Sequence, residues 1–278
     1  CPHLLSDGSA TRSFVVDAIF PNVSASLRVL IAGLLVVFAT PVAAQTRCAV
    51  CVARADSTFI RGDAMASLQW ALPGLRQDSN DVELLWRAAR AETVMGIVEG
   101  EREVIEAHYD RAVAYARRAV ALAPNDAIAH FWLAAVLGRR ALRSGFRGGI
   151  AYASESYHEA QRTLALDSMN AGGHEIVGKL NSEVRKLPWV VRELAAVLTD
   201  LPVAKTASWE EAERQLKRAI ALDPTLMVAR VDLSQLYLRM GRRAEAVRVV
   251  EEIEKMPRRS PADAYFQGEA RKRLSWYP

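Results

Sequence analysis

The stretch 118–124 reads Arg-Ala-Val-Ala-Leu-Ala-Pro, and it returns at 218–224 as Arg-Ala-Ile-Ala-Leu-Asp-Pro. A weaker copy, Arg-Thr-Leu-Ala-Leu-Asp-Ser, occupies 162–168. Two of the three copies end in Pro, which cannot continue a helix, and the third ends in Ser. A motif that returns along one chain indicates a repeat architecture, in which each unit packs only on its neighbours.

The intervals between repeats identify the type of repeat. Residues that should end helices fall at positions 79, 124, 168, 224 and 257, which gives spacings of 45, 44, 56 and 33. The last spacing is close to the tetratricopeptide period of about 34 residues, and the others fit that unit with insertions. Small residues at Ala112, Ala116 and Ala119 recur as Ala212 and Ala219, so that paired helices can approach closely. No alternating strand pattern occurs from 56 to 275. The sequence therefore predicts an all-α, tetratricopeptide-like solenoid with insertions.

The ends of the helices carry their own signals. Asn80, Asn125 and Asn170 each precede an amphipathic run, and an Asn side chain can cap the free N–H groups of a helix. The stretch 259–276 is predicted to be a terminal helix that covers the exposed face of the last repeat, as the end of a solenoid requires.

The N-terminal part contains a candidate leader. Residues 29–40 are apolar and uncharged, and Val-Ala-Ala follows at 42–44. This pattern predicts a signal peptide over 27–44, cleaved after Ala44, with 1–26 as a disordered upstream extension. Residues 45–55 are predicted to be an N-terminal tail and 56–278 the repeat domain. The expected location is outside the cytoplasm, in the periplasm of a bacterium; the alternative is a membrane anchor formed by an uncleaved leader.

Two cysteines follow the predicted cleavage site. Cys48 and Cys51 are close enough in sequence to form a small disulfide in an exported protein, although two idle thiols are equally compatible with the spacing.

Chemical motifs are absent from the sequence. The net charge of +4 is too small to suggest a nucleic-acid partner. His158-Glu159 and His174-Glu175 begin like a zinc-protease motif, but the second histidine is missing. The glycine loop 145–149 lacks the Lys-Ser/Thr of a phosphate loop. The sequence therefore predicts no cofactor, no metal and no enzymatic activity, and His130 and His174 are interpreted as packed side chains.

An insertion at 187–208 separates two helices that would ordinarily be joined by a short turn. It carries Trp189, Leu194 and Leu198, which we expect to fold back as a plug over the groove or the edge of the array; a movable lid is the alternative. Together with Ala-His-Phe-Trp at 129–132, the glycine loop and Gly-His-Glu-Ile-Val-Gly at 173–178, this segment resembles the regulator of microtubule dynamics family. The resemblance implies an all-helical adaptor domain without catalytic residues.

Function is expected to reside in the concave groove that the first helices of such repeats line. Aromatic anchors beside arginines suit a protein or peptide partner that carries carboxylates. The predicted groove residues are Trp86, Arg90, Phe131, Arg139, Glu175, Lys179, Gln235 and Arg239. A lipid or small-molecule carrier, with 187–208 as a lid, is the alternative. A second cluster could contact anionic lipid headgroups; its members are Arg139, Arg140, Arg143 and Arg147.

Overall fold

The structure is a computed structural model that describes residues 41–198 and 203–276, with side chains from Ala49 onward except that of Leu198. The chain divides into the units 1–50 and 51–278. The described residues contain helices and no strand, which confirms the all-α prediction. The helices are α1 Pro41–Ile60, α2 Ala64–Gln77, α3 Val82–Val98, α4 Arg102–Leu122, α5 Ala127–Arg143, α6 Phe146–Leu166, α7 Ala171–Arg185, α8 Trp189–Leu198, α9 Val203–Thr206, α10 Trp209–Leu222, α11 Met227–Arg239, α12 Arg243–Lys255 and α13 Asp263–Ser275.

The helices pack as consecutive pairs. Helix α3 packs on α4, α5 on α6, α7 on α10, and α11 on α12. Helices α8 and α9 lie in sequence between the members of the third of these pairs. Helix α13 packs on α11 and α12 and covers the end of the array. The predicted solenoid with insertions and a C-terminal capping helix is therefore confirmed.

The small residues are placed where paired helices nearly touch. Ala119 and Ala219, which occupy the same position in two copies of the motif, are fully buried. A Cβ added at Gly178 of α7 would come within 3.1 Å of the carbonyl oxygen of Ala212 on α10. A larger residue at one of these buried alanines, or at Gly178, would force the two packed helices apart.

The last residue of the repeated motif takes part in a contact that recurs in the turns between helices. The imidazole Nε2 of His130 lies 3.0 Å from the carbonyl oxygen of Pro124, and that of His174 lies 3.1 Å from the carbonyl oxygen of Ser168. In the last repeat Arg230 donates to the carbonyl oxygen of Pro224 at 2.6 Å. In each of these turns, therefore, a side chain contacts the carbonyl that lies six residues before it and two residues beyond the end of the preceding helix. The two histidines are packed structural side chains, as predicted.

The first residue of the motif joins neighbouring turns. Arg118 donates to Asn80 Oδ1 at 2.8 Å, and Arg162 donates to Asn125 Oδ1 at 2.6 Å. We expected Asn80 and Asn125 to cap helices, and this prediction is wrong. Their side-chain oxygens accept hydrogen bonds from these arginines instead. The following residues, Asp81 and Asp126, cap α3 and α5, whereas Asn170 caps α7 as predicted.

The folded helices begin earlier than the sequence indicated. Residues 45–55, which we expected to be a tail, lie within α1, and Ala55 is fully buried. The predicted extension 1–26 and the leader up to residue 40 lie outside the described residues. Cys51 is a free, half-buried thiol, and the side chain of Cys48 is outside the described part, so their disulfide stays a prediction.

The insertion packs differently from the expected plug. The side chain of Trp189 is 69% exposed and that of Val197 is 80% exposed. The contact with the array is made instead by small residues, because Ala195, Val203 and Ala204 are buried in one cluster with Ile150 and Val184. The expected burial of Trp189 is therefore wrong, since α8 turns its alanine face, and not its large residues, towards the repeats. The side chain of Leu198 lies outside the described residues.

Candidate binding groove

A mostly apolar cavity of about 740 Å³ is formed by residues of α1, α3, α5, α6, α7, α8 and α11, together with the start of α13. Four of the eight predicted groove residues line it: Phe131, Arg139, Glu175 and Lys179. Phe131 can enter because α7 carries Gly172, where a Cβ would lie 2.2 Å from the phenyl ring. Helix α8 contributes Val191 and Ala195 to one wall. This groove is the candidate functional site of the described chain.

Two predicted residues of the N-terminal half are not available to a partner. Trp86 is 7% exposed and Arg90 is 9% exposed. The guanidinium of Arg90 donates to Asp56 at 2.8 Å and stacks over the ring of Phe59, 4.0 Å from its centroid. Arg87, its neighbour on the same helix, donates to Asp56 at 2.6 and 3.0 Å. The region of α1 and α3 around Asp56, here called the closed end, is therefore a packed ion-pair cluster and not a binding surface.

The polar floor of the groove joins α7 to α11. The ammonium of Lys179 pairs with Asp232 and donates to Gln235 at 3.0 Å. The carboxylate of Glu183 accepts hydrogen bonds from Arg239 and from Lys186, each at 2.8 Å, and it lies 3.4 Å from the ammonium of Lys179. Gln235 and Arg239, which we expected to contact a partner, therefore bind other groups of the floor.

Burial and neighbouring charge shift the pKa values of these carboxyl groups in opposite directions. Burial, together with the charge of Asp232, raises the pKa of Glu175 well above its usual range. Burial also opposes ionisation of Asp232, but the ammonium of Lys179, the hydrogen bond from Glu175 and the charge of Arg139 together outweigh it and lower the pKa of that carboxyl. Glu175 is therefore the protonated partner and hydrogen-bonds to the Asp232 carboxylate. The pKa of Glu183 is also lowered, because Lys179 and Arg239 outweigh its burial.

Arg139 differs from the other basic groups of the floor. Its guanidinium lies 5.6 Å from the centroid of the Phe266 ring on α13. Within the described residues its side chain has no hydrogen-bond or ion-pair partner, although it lines an apolar cavity. An arginine in such a position has its donors free for an anionic ligand.

The predicted headgroup cluster around the glycine loop is mostly neutralised. Arg140 pairs with Glu106 at 2.6 Å and Asp110 at 3.0 Å, and Arg143 pairs with Glu106 at 3.1 Å. Only Arg147 of this set is exposed. These pairs join α5 to α4, so the cluster supports the packing of two helices and offers little free positive charge.

Two residues that matter for the groove were not predicted. Asp232 sits on α11 between Val231 and Leu233, and nothing in the sequence separates it from a solvent-facing residue. Asp56, which pairs with Arg90, is the first residue of the predicted repeat domain, and no sequence signal indicated that pairing. No group of side chains in the described ranges could hold a metal ion. In the same ranges no helix has the length and apolar character needed to cross a bilayer.

The chain matches a family model and several curated proteins. The model for regulator of microtubule dynamics protein 1-3 covers residues 51–277. The chain is 28% identical over 201 residues to bovine regulator of microtubule dynamics protein 1, which covers 71% of this chain and 62% of that protein. It is 25% identical over 195 residues to rat regulator of microtubule dynamics protein 3, covering 70% and 40% of the two chains. The match thus spans less than two thirds of the length of either relative.

A solved structure supports the same fold. The crystal structure of a thermophilic TPR protein from Thermus thermophilus superposes with a TM-score of 0.56 at 20% identity, covering 84% of this chain and 99% of that one. At this identity the similarity shows the fold alone. The family model, in contrast, extends over nearly all of the described helices. The chain therefore belongs to the regulator of microtubule dynamics protein 1-3 family.

Proposed function

We propose that this protein is a non-enzymatic helical-repeat scaffold that binds an extended segment of a partner protein in its concave groove. The observation that carries the proposal is the groove itself, an apolar cavity of about 740 Å³ above a floor of charged side chains. Specific sites combine apolar walls with a few placed polar groups, and their volumes are usually about 300–1,000 Å³. Extended concave surfaces are also how solenoid proteins bind their partners.

The partner is identified here only by its chemistry. The names of the relatives refer to microtubule dynamics, but the matched region covers 62% and 40% of two of them. A role at microtubules therefore stays with those proteins. For this chain the proposal is limited to a peptide segment with at least one apolar side chain that can enter between Phe131 and α8.

The proposal is tested by selecting peptides from a random display library against the full chain. Hydrogen exchange of the complex should show protection in α5, α7 and α11. Val228 lines the groove, so Val228→Trp should abolish binding, whereas Ala221→Trp, at an exposed position of α10, should not. Peptides that protect α10 and α12 instead, or that bind the Val228→Trp variant normally, would contradict the proposal.

A second candidate function is the carriage of a small apolar molecule. It is favoured by the apolar character of the cavity and by α8, whose residues Val191 and Ala195 form a wall that could move as a lid. Protein purified from its native host should then yield a stoichiometric apolar compound on organic extraction. An empty extract from protein that still binds the selected peptides would remove this candidate.

Export is proposed as a further property. It rests on the apolar run 29–40 and on Val-Ala-Ala at 42–44. N-terminal sequencing of protein from its native host should begin at Gln45. Recovery of a chain that still carries the apolar run would contradict cleavage, and with it the case for a Cys48–Cys51 bridge.

A further inference from the structure

The charged groups that line the groove differ in whether they have partners. Five carboxyl side chains line the cavity: Glu175, Glu183, Asp223, Asp232 and Asp263. Each of them has a partner within the described residues. Asp223 accepts from the backbone N–H of Thr225 at 2.8 Å, and Asp263 accepts from the N–H groups of Arg259 and Ser260 at 2.7 and 2.9 Å. The partners of the other three are those of the polar floor.

The basic groups are partnered only in part. Lys179 and Lys186 bind carboxylates. The guanidinium groups of Arg139 and Arg259, which also line the cavity, have no hydrogen-bond or ion-pair partner within the described part of the chain. Among the described residues, the groove thus contains two guanidinium groups without a partner and no carboxylate without a partner.

The two free arginines approach the same element. Arg139 stacks on Phe266 of α13, and Arg259 is held by its backbone N–H on Asp263, at the first turn of that helix. Glu175 lies on the same floor and is hydrogen-bonded to Asp232, and the proton in that bond leaves the two carboxyl groups with one negative charge instead of two, which reduces the repulsion of an anion. A guanidinium binds a carboxylate through two parallel hydrogen bonds. Arg139 is half-buried, where such bonds are stronger than in water, and Arg259 is exposed.

We propose that Arg139 and Arg259 bind the C-terminal carboxylate of the partner peptide, with its last apolar side chains inserted between Phe131 and α8. This inference rests on the proposed function, because it names the chemical group that the groove recognises. Charge complementarity and the adjoining apolar volume favour such a chain end over an internal segment, which presents a carboxylate only through an acidic side chain.

The experiment uses two synthetic hexapeptide libraries that differ only at the C-terminus, one with the free acid and the other with the amide. The full chain should bind the free-acid library, with apolar residues enriched at the last positions. Affinity for the selected peptides should fall about tenfold or more when the carboxylate is amidated, the magnitude expected for charge-assisted hydrogen bonds. Arg139→Gln and Arg259→Gln should each reduce binding of the acid and leave binding of the amide unchanged.

Controls separate this inference from the proposed function. Arg139→Lys keeps the charge but loses the fork, so it should restore only part of the affinity, and circular dichroism of each variant checks folding. Arg147→Gln, an exposed arginine outside the floor, should bind as the parent does. Equal affinity for acid and amide, with binding still blocked by Val228→Trp, would overturn the carboxylate anchor alone.

The absence of binding by both peptide libraries would bear on the proposed function and not only on the carboxylate anchor. If neither library binds and Val228→Trp has no effect on any probe, the proposed function fails as well. Dodecanoate provides a carboxylate from a lipid source. Binding of dodecanoate that depends on Arg139 in a chain that binds no peptide would overturn the peptide as the source of the carboxylate.

Discussion

Arg90 and Arg139 both lie on helices that line the inside of the array, and both stack on an aromatic ring, yet their surroundings differ. At the closed end Asp56 of α1 accepts from Arg90 and Arg87, and the arginines are buried. At the open end, the part of the groove around Arg139 and Phe266, no carboxylate within the described residues takes that place for Arg139. One aspartate outside the repeat motif therefore converts a potential binding surface into a structural cluster.

The largest expected effect is the loss of Asp56. Asp56→Ala would leave the buried guanidinium of Arg90 without a carboxylate and that of Arg87 with Glu83 alone. Breaking a buried pair by removing one partner costs about 3–5 kcal/mol. Because the Asp56 side chain is 32% exposed, the free energy of unfolding in urea should fall by the lower end of that range, about 3 kcal/mol. Glu155→Ala is the matched control, because it breaks the exposed pair with Arg117 and should cost about 0–1 kcal/mol. Equal losses in the two variants would mean that the closed end is not the stabilised region.

The next effect concerns the packing of α10. Ala219 of α10 is fully buried, and Ala219→Leu should cost about 1–3 kcal/mol because three extra carbon atoms cannot be accommodated between packed helices. Ala221→Leu, two residues further along the same helix at an exposed position, should be close to neutral. Thermal and urea unfolding of the pair measure the difference, and a neutral result at Ala219 would contradict the repeat register.

The two ends should also respond oppositely to pH. The bonds from Arg87 and the charge of Arg90 outweigh burial and lower the pKa of Asp56 below its ordinary 3.8, so its contribution is present above that value and is lost as pH falls through the folded pKa. Burial raises the pKa of Glu175, so its contribution is present below its ordinary 4.5 and is lost as pH rises through the folded pKa.

Urea unfolding across pH measures both contributions. Asp56→Asn should flatten the dependence of unfolding free energy on pH at the acid side, below about pH 4. Glu175→Gln, which mimics the neutral carboxyl, should flatten it above about pH 5 instead. The same change of slope in both variants would contradict the assignment of Glu175 as the protonated partner of Asp232.

The smallest expected effect on stability is at Trp189. Because its side chain is mostly exposed, Trp189→Ala should change the free energy of unfolding by no more than about 0.5 kcal/mol. Val203→Ala, in the buried contact of the same insertion, should cost more, since about 0.8 kcal/mol is lost for each buried methylene-sized group. A large fall in the free energy of unfolding for Trp189→Ala would contradict the exposed position of this side chain and support the plug instead.

Most of the fold could be predicted from the sequence because its signals are local. The recurrence of 118–124 at 218–224 identified the repeat, and Ala119 and Ala219 lie where helices touch because only a small side chain fits there. His130 and His174 are packed at equivalent positions because each contacts the carbonyl oxygen six residues before it. The cap positions were wrong by one residue at Asn80 and Asn125, since two adjacent polar residues compete for one cap and the sequence does not rank them.

The groove could be predicted only in part, because it depends on which charges meet in space. Counting along the helices placed Phe131, Arg139, Glu175 and Lys179 correctly on the inner face. It could not tell that Asp56, more than thirty residues before Arg90, neutralises that arginine, or that Asp232 holds Lys179. The sequence by itself determined the repeat, the helices and the inner face, since these follow from spacing. The tertiary structure alone decided which inner-face charges remain free, because pairing and burial depend on distances between elements far apart in the chain.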